Sequence, residues 1–154
     1  FAAGDVNGKS LLAHTAYREG EVVVNLIAGR QDRMRYHAIP GVIYTNPEVA
    51  SVGITEEQAK TTGMDYAVKK LPMAYSGRFI AENEGKQGHC KIIVNKKYNQ
   101  IVGIHMIGGV CSEMIFGAAQ MIESEFRLQD AEEVVFPHPT VSEVIKETIF
   151  AFKD

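Results

Sequence analysis

Two β-rich runs separated by a short polar turn set the strongest limit on how this chain can fold. Cys90 to Val94 and Ile101 to Ile107 are dense in β-branched residues, and Lys96-Lys97-Tyr98-Asn99 between them has turn chemistry. Runs joined by so few residues pair as an antiparallel hairpin, because a parallel pair needs a crossover of a dozen residues or more. A purely parallel, doubly wound sheet is therefore excluded for this part of the chain.

The surrounding pattern extends that reading. Val42-Ile43-Tyr44-Thr45, Val49 to Ile54 and Tyr66 to Leu71 read as further strands. Thr55-Glu56-Glu57-Gln58 is a capping box that opens a short helix closed by Gly63. Ser112 to Ser124 carries Met114, Ile115, Ala118, Met121 and Ile122 at helical spacing. Thr140 to Phe152 does the same with Val141, Val144, Ile145, Ile149 and Phe152. From about Ile39 onward the expectation is an α+β unit, a mixed, mainly antiparallel sheet flanked by helices and covered on one face. The Met114 and Met121 stripe is read as core, with a subunit contact as the alternative.

Before Ile39 the pattern differs. Phe1-Ala2-Ala3 reads as strand, Gly4 to Gly8 as a turn, and Leu11 to Ile27 as a long helix with Leu12, Ala16, Val23 and Ile27 on its apolar face, ended by Gly29. Residues 30–39 are polar and basic and mark a linker, so two parts are expected, 1–38 and 39–154. The chain opens on Phe1 rather than methionine and is expected to be a segment of something longer.

Composition removes several function classes. Sixteen basic and nineteen acidic side chains give a net charge of -3 with no long run of either sign, so nucleic acid and anionic membranes find no electrostatic footing. No apolar run approaches the roughly 20 residues that span a bilayer, and a secretory signal pattern is missing, so a cytoplasmic location is expected. Cys90 and Cys111 are too few for a disulfide scaffold and too far apart for a CxxC pair; both read as buried small apolar residues. His14, His37, His89 and His105 lack ligand spacing, and no metal is expected.

The segment Phe136-Pro137-His138-Pro139-Thr140-Val141-Ser142-Glu143 stands apart, because two prolines bracket one histidine just before a helix. Proline fixes its own φ and biases its predecessor away from helix, so His138 is held extended at the mouth of the last helix. Histidine exchanges a proton near neutral pH, its unperturbed pKa being about 6.5, and a carboxylate on one ring nitrogen fixes the tautomer and steadies the imidazolium. Glu143 is the nearest candidate. The same residues support a plainer reading, in which Thr140 and Glu143 form a capping box and His138 is a packed loop residue.

The HPTxSE core of that segment resembles the active-site motif of dihydrolipoamide dehydrogenases, within the pyridine nucleotide-disulfide oxidoreductase family. Three other segments agree in order and spacing. They are Ala2-Ala3-Gly4-Asp5 through Leu11-Leu12-Ala13-His14, Tyr44-Thr45-Asn46-Pro47-Glu48 through Val52-Gly53, and Ile101-Val102-Gly103 through Glu113-Met114-Ile115. The resemblance implies the C-terminal part of such an enzyme: a remnant of the FAD-binding domain over 1–38 and a dimerisation domain over 39–154.

It also implies roles. His138, oriented by Glu143, would take a proton from a dihydrolipoamide thiol, and electrons would pass through a disulfide of the partner subunit and FAD to NAD. Gly4 and Asp5 would sit at the FAD ribityl chain. Leu12, Ala13 and His14 would present backbone N–H groups to the flavin pyrimidine edge, where a helix N-terminus suits negative charge. The implied partners are a second copy of the chain and the lipoyl domain of a 2-oxo acid, acetoin or glycine dehydrogenase complex. The family's redox cysteine pair, first dinucleotide fingerprint and NAD domain are absent, and Gly103 through Gly109 has the wrong glycine order to replace the fingerprint. By itself the segment is therefore expected to be inactive and to hold FAD weakly.

Two alternatives stand beside this reading, a glutathione- or other thiol-disulfide reductase and a purely structural homodimerisation module. Val144, where many glutathione-type relatives carry a second acid, favours lipoamide. The closing Phe152-Lys153-Asp154, without cysteine, argues against a C-terminal redox arm.

Overall fold

The computed structural model describes residues 1–85 and 87–153, so Asp154 of the closing segment lies outside the described residues. The chain divides into two compact units, Phe1–Ile39 and Pro40–Asp154.

In the first unit a 3-10 turn, Asp5–Asn7, is followed by helix α1, Ala13–Ile27. Gly29 closes the helix with a left-handed φ of 73°, as its position predicts. Two expectations fail here. Phe1-Ala2-Ala3 forms no strand, since a strand needs a neighbour for its N–H and C=O groups and the described residues of this unit supply none. The buried face of α1 is also not the apolar stripe; it consists of Thr15, Glu19 and Val22, while Ile27 is exposed. Hydrogen bonds decide that face. Glu19 accepts the Gly4 N–H at 2.6 Å and the Tyr36 hydroxyl at 2.8 Å, and Thr15 shares a 2.9 Å bond with Ser10. A buried carboxylate left without such donors would be costly, so the polar face packs only because it is satisfied.

The second unit is the expected α+β architecture. Strands β1 (Gly41–Ile43), β2 (Glu48–Gly53), β3 (Tyr66–Pro72), β4 (His89–Asn95) and β5 (Gln100–Gly108) form one sheet in the order β1-β2-β5-β4-β3, and every pairing is antiparallel. The predicted hairpin is β4 and β5 at the sheet's centre. Its turn ends on Asn99 in the left-handed region, a conformation asparagine tolerates. A bulge at Ile93/Val94 shifts the register within the pair.

Register and the two-residue side-chain period sort the sheet into two faces. Ala50, Met106 and Cys90 align across β2, β5 and β4, as do Val52, Ile104 and Ile92, and all six are buried. Fully burying an isoleucine side chain contributes about 1.5–3 kcal/mol, so these two rungs are a principal source of stability. The intervening row, Ser51, His105, Lys91 and Lys70, is polar. There Lys91 pairs with Glu56 at 2.9 Å and His105 Nε2 lies 2.8 Å from the Ile54 carbonyl. At the far end of the β2–β5 ladder Gly53 pairs with Gly103. A Cβ on Gly53 would sit 2.2 Å from the Val102 carbonyl oxygen, and one on Gly103 would sit 2.2 Å from that of Ile54.

Helices pack on both faces, with the two longer ones of this unit on the apolar face. Helix α2 (Glu56–Thr61) carries the predicted capping box, with Thr55 accepting from Gln58 N–H and Gln58 returning to Thr55 N–H. Helix α4 (Cys111–Glu123) packs on β2 and β5, and α6 (Glu143–Phe150) packs on β3 and β4. Met114 and Met121 are buried, in keeping with the core reading. Two short helices have no counterpart in the sequence reading, α3 (Gly77–Glu82) and α5 (Leu128–Glu132). Val110, the residue before α4, is left-handed at φ 59°, a strained conformation for a β-branched side chain.

Candidate active site

His138 lies in the loop between α5 and α6, and its peptide bond to Pro139 is cis. Its side chain is 80% exposed, so packing does not aim the ring. Hydrogen bonds do. Nδ1 sits 2.8 Å from Glu143 Oε1, while Glu143 Oε2 accepts the Thr140 backbone N–H at 2.9 Å. The Thr140 hydroxyl donates to the Pro137 carbonyl at 2.7 Å and closes the loop on itself.

The two readings of Glu143 are thus both present in one carboxylate. One oxygen orients the histidine and the other satisfies the Thr140 amide. The expected capping box is nevertheless only half formed. Thr140 uses its hydroxyl on Pro137 instead of on a helical N–H, and α6 starts at Glu143 with Ser142 as its N-cap, not at Thr140. Pro137 offers an unpaired carbonyl within reach, and a loop that must hold itself together claims the hydroxyl first.

The electrostatics agree with the geometry. The Thr140 N–H, and after it His138, holds the Glu143 carboxyl below the usual carboxylate range. An ionised carboxylate can only accept, so Nδ1 carries the hydrogen of the shared bond and Nε2 presents its lone pair. The arrangement is that of a general base whose tautomer is fixed by an acid behind it. An open groove of about 310 Å³ borders the same loop at Pro139, Thr140 and Ser142, with Arg78, Val110 and Met114 on its other walls.

In the first unit Gly4 and Asp5 form the 3-10 turn, and Asp5 is exposed. Leu12 is the extended N-cap of α1 and supplies no side-chain cap; Ala13 and His14 open the helix. The N-terminus of a 15-residue helix suits an acceptor edge. Sequence reasoning missed Glu19, which ties Gly4 to α1 and, through Tyr36, to the end of this unit. The Gly4 N–H foremost, then Asn7 and Tyr36, keeps its carboxyl below the usual range. Its position four residues after Thr15 and three before Val22 was the available signal.

Cys90 and Cys111 are free and buried, and burial pushes each thiol up to about 12. A Thr148 hydrogen bond works against that rise at Cys90. Among the described residues no group of three His, Cys, Asp or Glu side chains could hold a metal ion, and no helix is long and apolar enough to cross a membrane.

Residues 39–149 match the family model described as pyridine nucleotide-disulphide oxidoreductase, dimerisation domain. Over its whole length the chain is 41% identical to the mitochondrial dihydrolipoyl dehydrogenase of Pisum sativum, of which it covers 30%. It is 40% identical to the leghemoglobin reductase of Glycine max, covering all of this chain and 29% of that one. Among solved structures, the HOCl-induced flavoprotein disulfide reductase RclA of Escherichia coli superposes with a TM-score of 0.87 at 25% identity, over 97% of this chain and 35% of that one. The chain therefore spans less than a third of the two curated relatives named here.

Proposed function

We propose, since the chain belongs to the pyridine nucleotide-disulphide oxidoreductases and carries their dimerisation domain, that it is the C-terminal part of a dihydrolipoyl dehydrogenase. The observation that carries the reading is the 2.8 Å bond between His138 Nδ1 and Glu143 Oε1 on an exposed loop. In the proposed reaction Nε2 of His138 accepts the proton of a dihydrolipoamide thiol, and Glu143 steadies the imidazolium that results. The thiolate so formed is the nucleophile and attacks a disulfide contributed by the partner subunit. His138 returns its proton to the enzyme sulfur that departs and takes that of the second substrate thiol. That second sulfur attacks the substrate sulfur of the mixed disulfide, closes the lipoamide disulfide and frees the other enzyme sulfur to regain the proton.

FAD, when bound, would supply the acceptor for the electron pair left on the reduced disulfide, with NAD as the final acceptor. Residues 1–38 are assigned to the end of the FAD-binding domain and 39–154 to the dimerisation domain. Gly4 and Asp5 would hold the ribityl chain, and the backbone N–H groups of Leu12, Ala13 and His14 the pyrimidine edge. That these residues stand at the N-terminus of the 15-residue α1 supports that placement.

The proposed partners are a second copy of the chain, since the disulfide must come from across a two-fold axis, and the lipoyl domain of a dehydrogenase complex. Exposed Phe116 on α4 and Val135 in the loop before Phe136 are suitable apolar contacts for that second copy. The identity to a leghemoglobin reductase and the likeness to RclA favour one alternative, another reductase using the same base on a different acceptor.

The test is His138→Gln in the complete protein. Thiol oxidation falls by about 10²–10⁴-fold while the bound-flavin spectrum is unchanged. An unimpaired variant would end the general-base reading.

A further inference from the structure

The bond from Glu143 to His138 is short, but it aims the ring only if Glu143 is itself held. Glu143 is held through Oε2 by the Thr140 N–H at 2.9 Å. The orientation of that peptide unit depends on the segment 137–142, which belongs to no helix or strand. Within the loop, the Thr140 hydroxyl donates to the Pro137 carbonyl at 2.7 Å, a contact between two parts of the same stretch. Besides the buried Val141, a hydrogen bond from outside the loop ties its backbone to the body of the unit.

Ser76 does this. Its side chain is 1% exposed, and its Oγ donates to the Thr140 carbonyl at 2.9 Å across a sequence separation of 64 residues. The same oxygen accepts the Phe79 N–H at 3.1 Å and so caps α3. Phe79, next along α3, is among the largest fully buried side chains, which anchors the helix start. A cap requires only an acceptor. The donated hydrogen bond to Thr140 is additional, and it is the one that reaches the site.

We infer that Ser76 is a positioning residue for the acid–base pair: its hydroxyl holds the Thr140 carbonyl and so fixes the Thr140 Cα, the N–H of the peptide unit on the other side of that Cα holds Glu143 Oε2, and Glu143 aims His138. Ser76 touches neither thiol nor ring, so its removal leaves both reacting groups in place and lets their geometry drift. Small misplacements in proton-transfer geometry are costly to rate even when binding is unaffected.

The inference rests on the acid–base reading proposed above, and the test separates the two. In the complete protein, Ser76→Ala lowers kcat for thiol oxidation about tenfold with little change in KM. The acid limb of its kcat/KM profile moves to lower pH, because a loosened carboxylate stabilises the imidazolium less. Ser76→Thr, which keeps the hydroxyl, recovers both. If Ser76→Ala does not fold, Ser76→Cys, nearly isosteric but a weak donor, is measured in its place against the same expectations.

A variant that loses thermal stability yet keeps the wild-type kcat and pH profile would overturn the tether and leave Ser76 a plain helix cap. An unimpaired His138→Gln removes the pair from the reaction altogether. A crippled His138→Gln beside an unaltered Ser76→Ala removes only the tether.

Discussion

The His138 loop and the thiols under the helices are two places in the second unit with side chains suited to acid–base or sulfur chemistry, and they are built in opposite ways. His138 is 80% exposed and oriented wholly by hydrogen bonds. Cys90 is fully buried beneath α6, with a thiol pushed up to about 12. Both are chemically capable side chains. What separates them is access to water and to a partner that stabilises the charged form, which the loop provides and the apolar face withholds. Side chains in a family of disulfide reductases are thus not reactive by type; here the cysteines are buried filling, and the histidine is exposed beside a carboxylate.

That contrast can be broken most decisively at the thiols. Against an ordinary value of 9.0, a value of about 12 leaves roughly a thousandfold less thiolate at neutral pH. Iodoacetamide should therefore leave Cys90 and Cys111 unmodified in the native protein and label both in denaturant. Fast native labelling followed by mass spectrometry would erase the distinction.

A smaller effect sharpens the other side. The Glu143 carboxyl lies below its ordinary value of 4.5, so its contribution to stability is present above that range and is lost as pH falls through the folded-state value. Urea melts of Glu143→Gln should show a shallower decline from pH 6 to pH 3 than the parent protein, whose acid slope includes this group. Equal slopes would mean that the Thr140 and His138 bonds to Glu143 do not persist in solution.

The smallest effect concerns a wall of the groove beside the His138 loop. Val110 holds a left-handed conformation at the start of α4, at a cost on the order of 1 kcal/mol, which glycine would not incur. Val110→Gly should raise the melting temperature modestly and leave the His138 loop untouched. A fall in stability would show that Val110's side-chain contacts outweigh its backbone strain.

Much of this was legible in the chain because the deciding interactions are local. The hairpin could be read from two β-branched runs and a turn. The α2 start could be read from Thr55 and Gln58, three residues apart. The His138–Glu143 bond spans only five positions, so one motif held both partners.

What stayed hidden depends on contacts made across the fold. Ser76 lies 64 residues from the carbonyl it holds, and Glu48 caps the Ser112 N–H from β2 over the same separation. Helices α3 and α5, of six and five residues, are too short to show a period. The α1 face misled because Glu19 is buried by hydrogen bonds rather than by hydrophobicity. The bulge at Ile93/Val94 leaves no residue signature at all.

The Gly53–Gly103 rung has a consequence for assembly of the sheet. Strands of alternating side chains can usually zip together one step out of phase at little local cost, burying the wrong face before the error is felt. Here a slip by one would carry Val52 or Ile54, or on the other strand Val102 or Ile104, into a gap where even a methyl group meets a carbonyl oxygen at 2.2 Å. The two missing side chains therefore act as a key cut for one lock position: they make the misaligned ladder sterically unavailable, so the polar and apolar faces are assigned when β2 first meets β5.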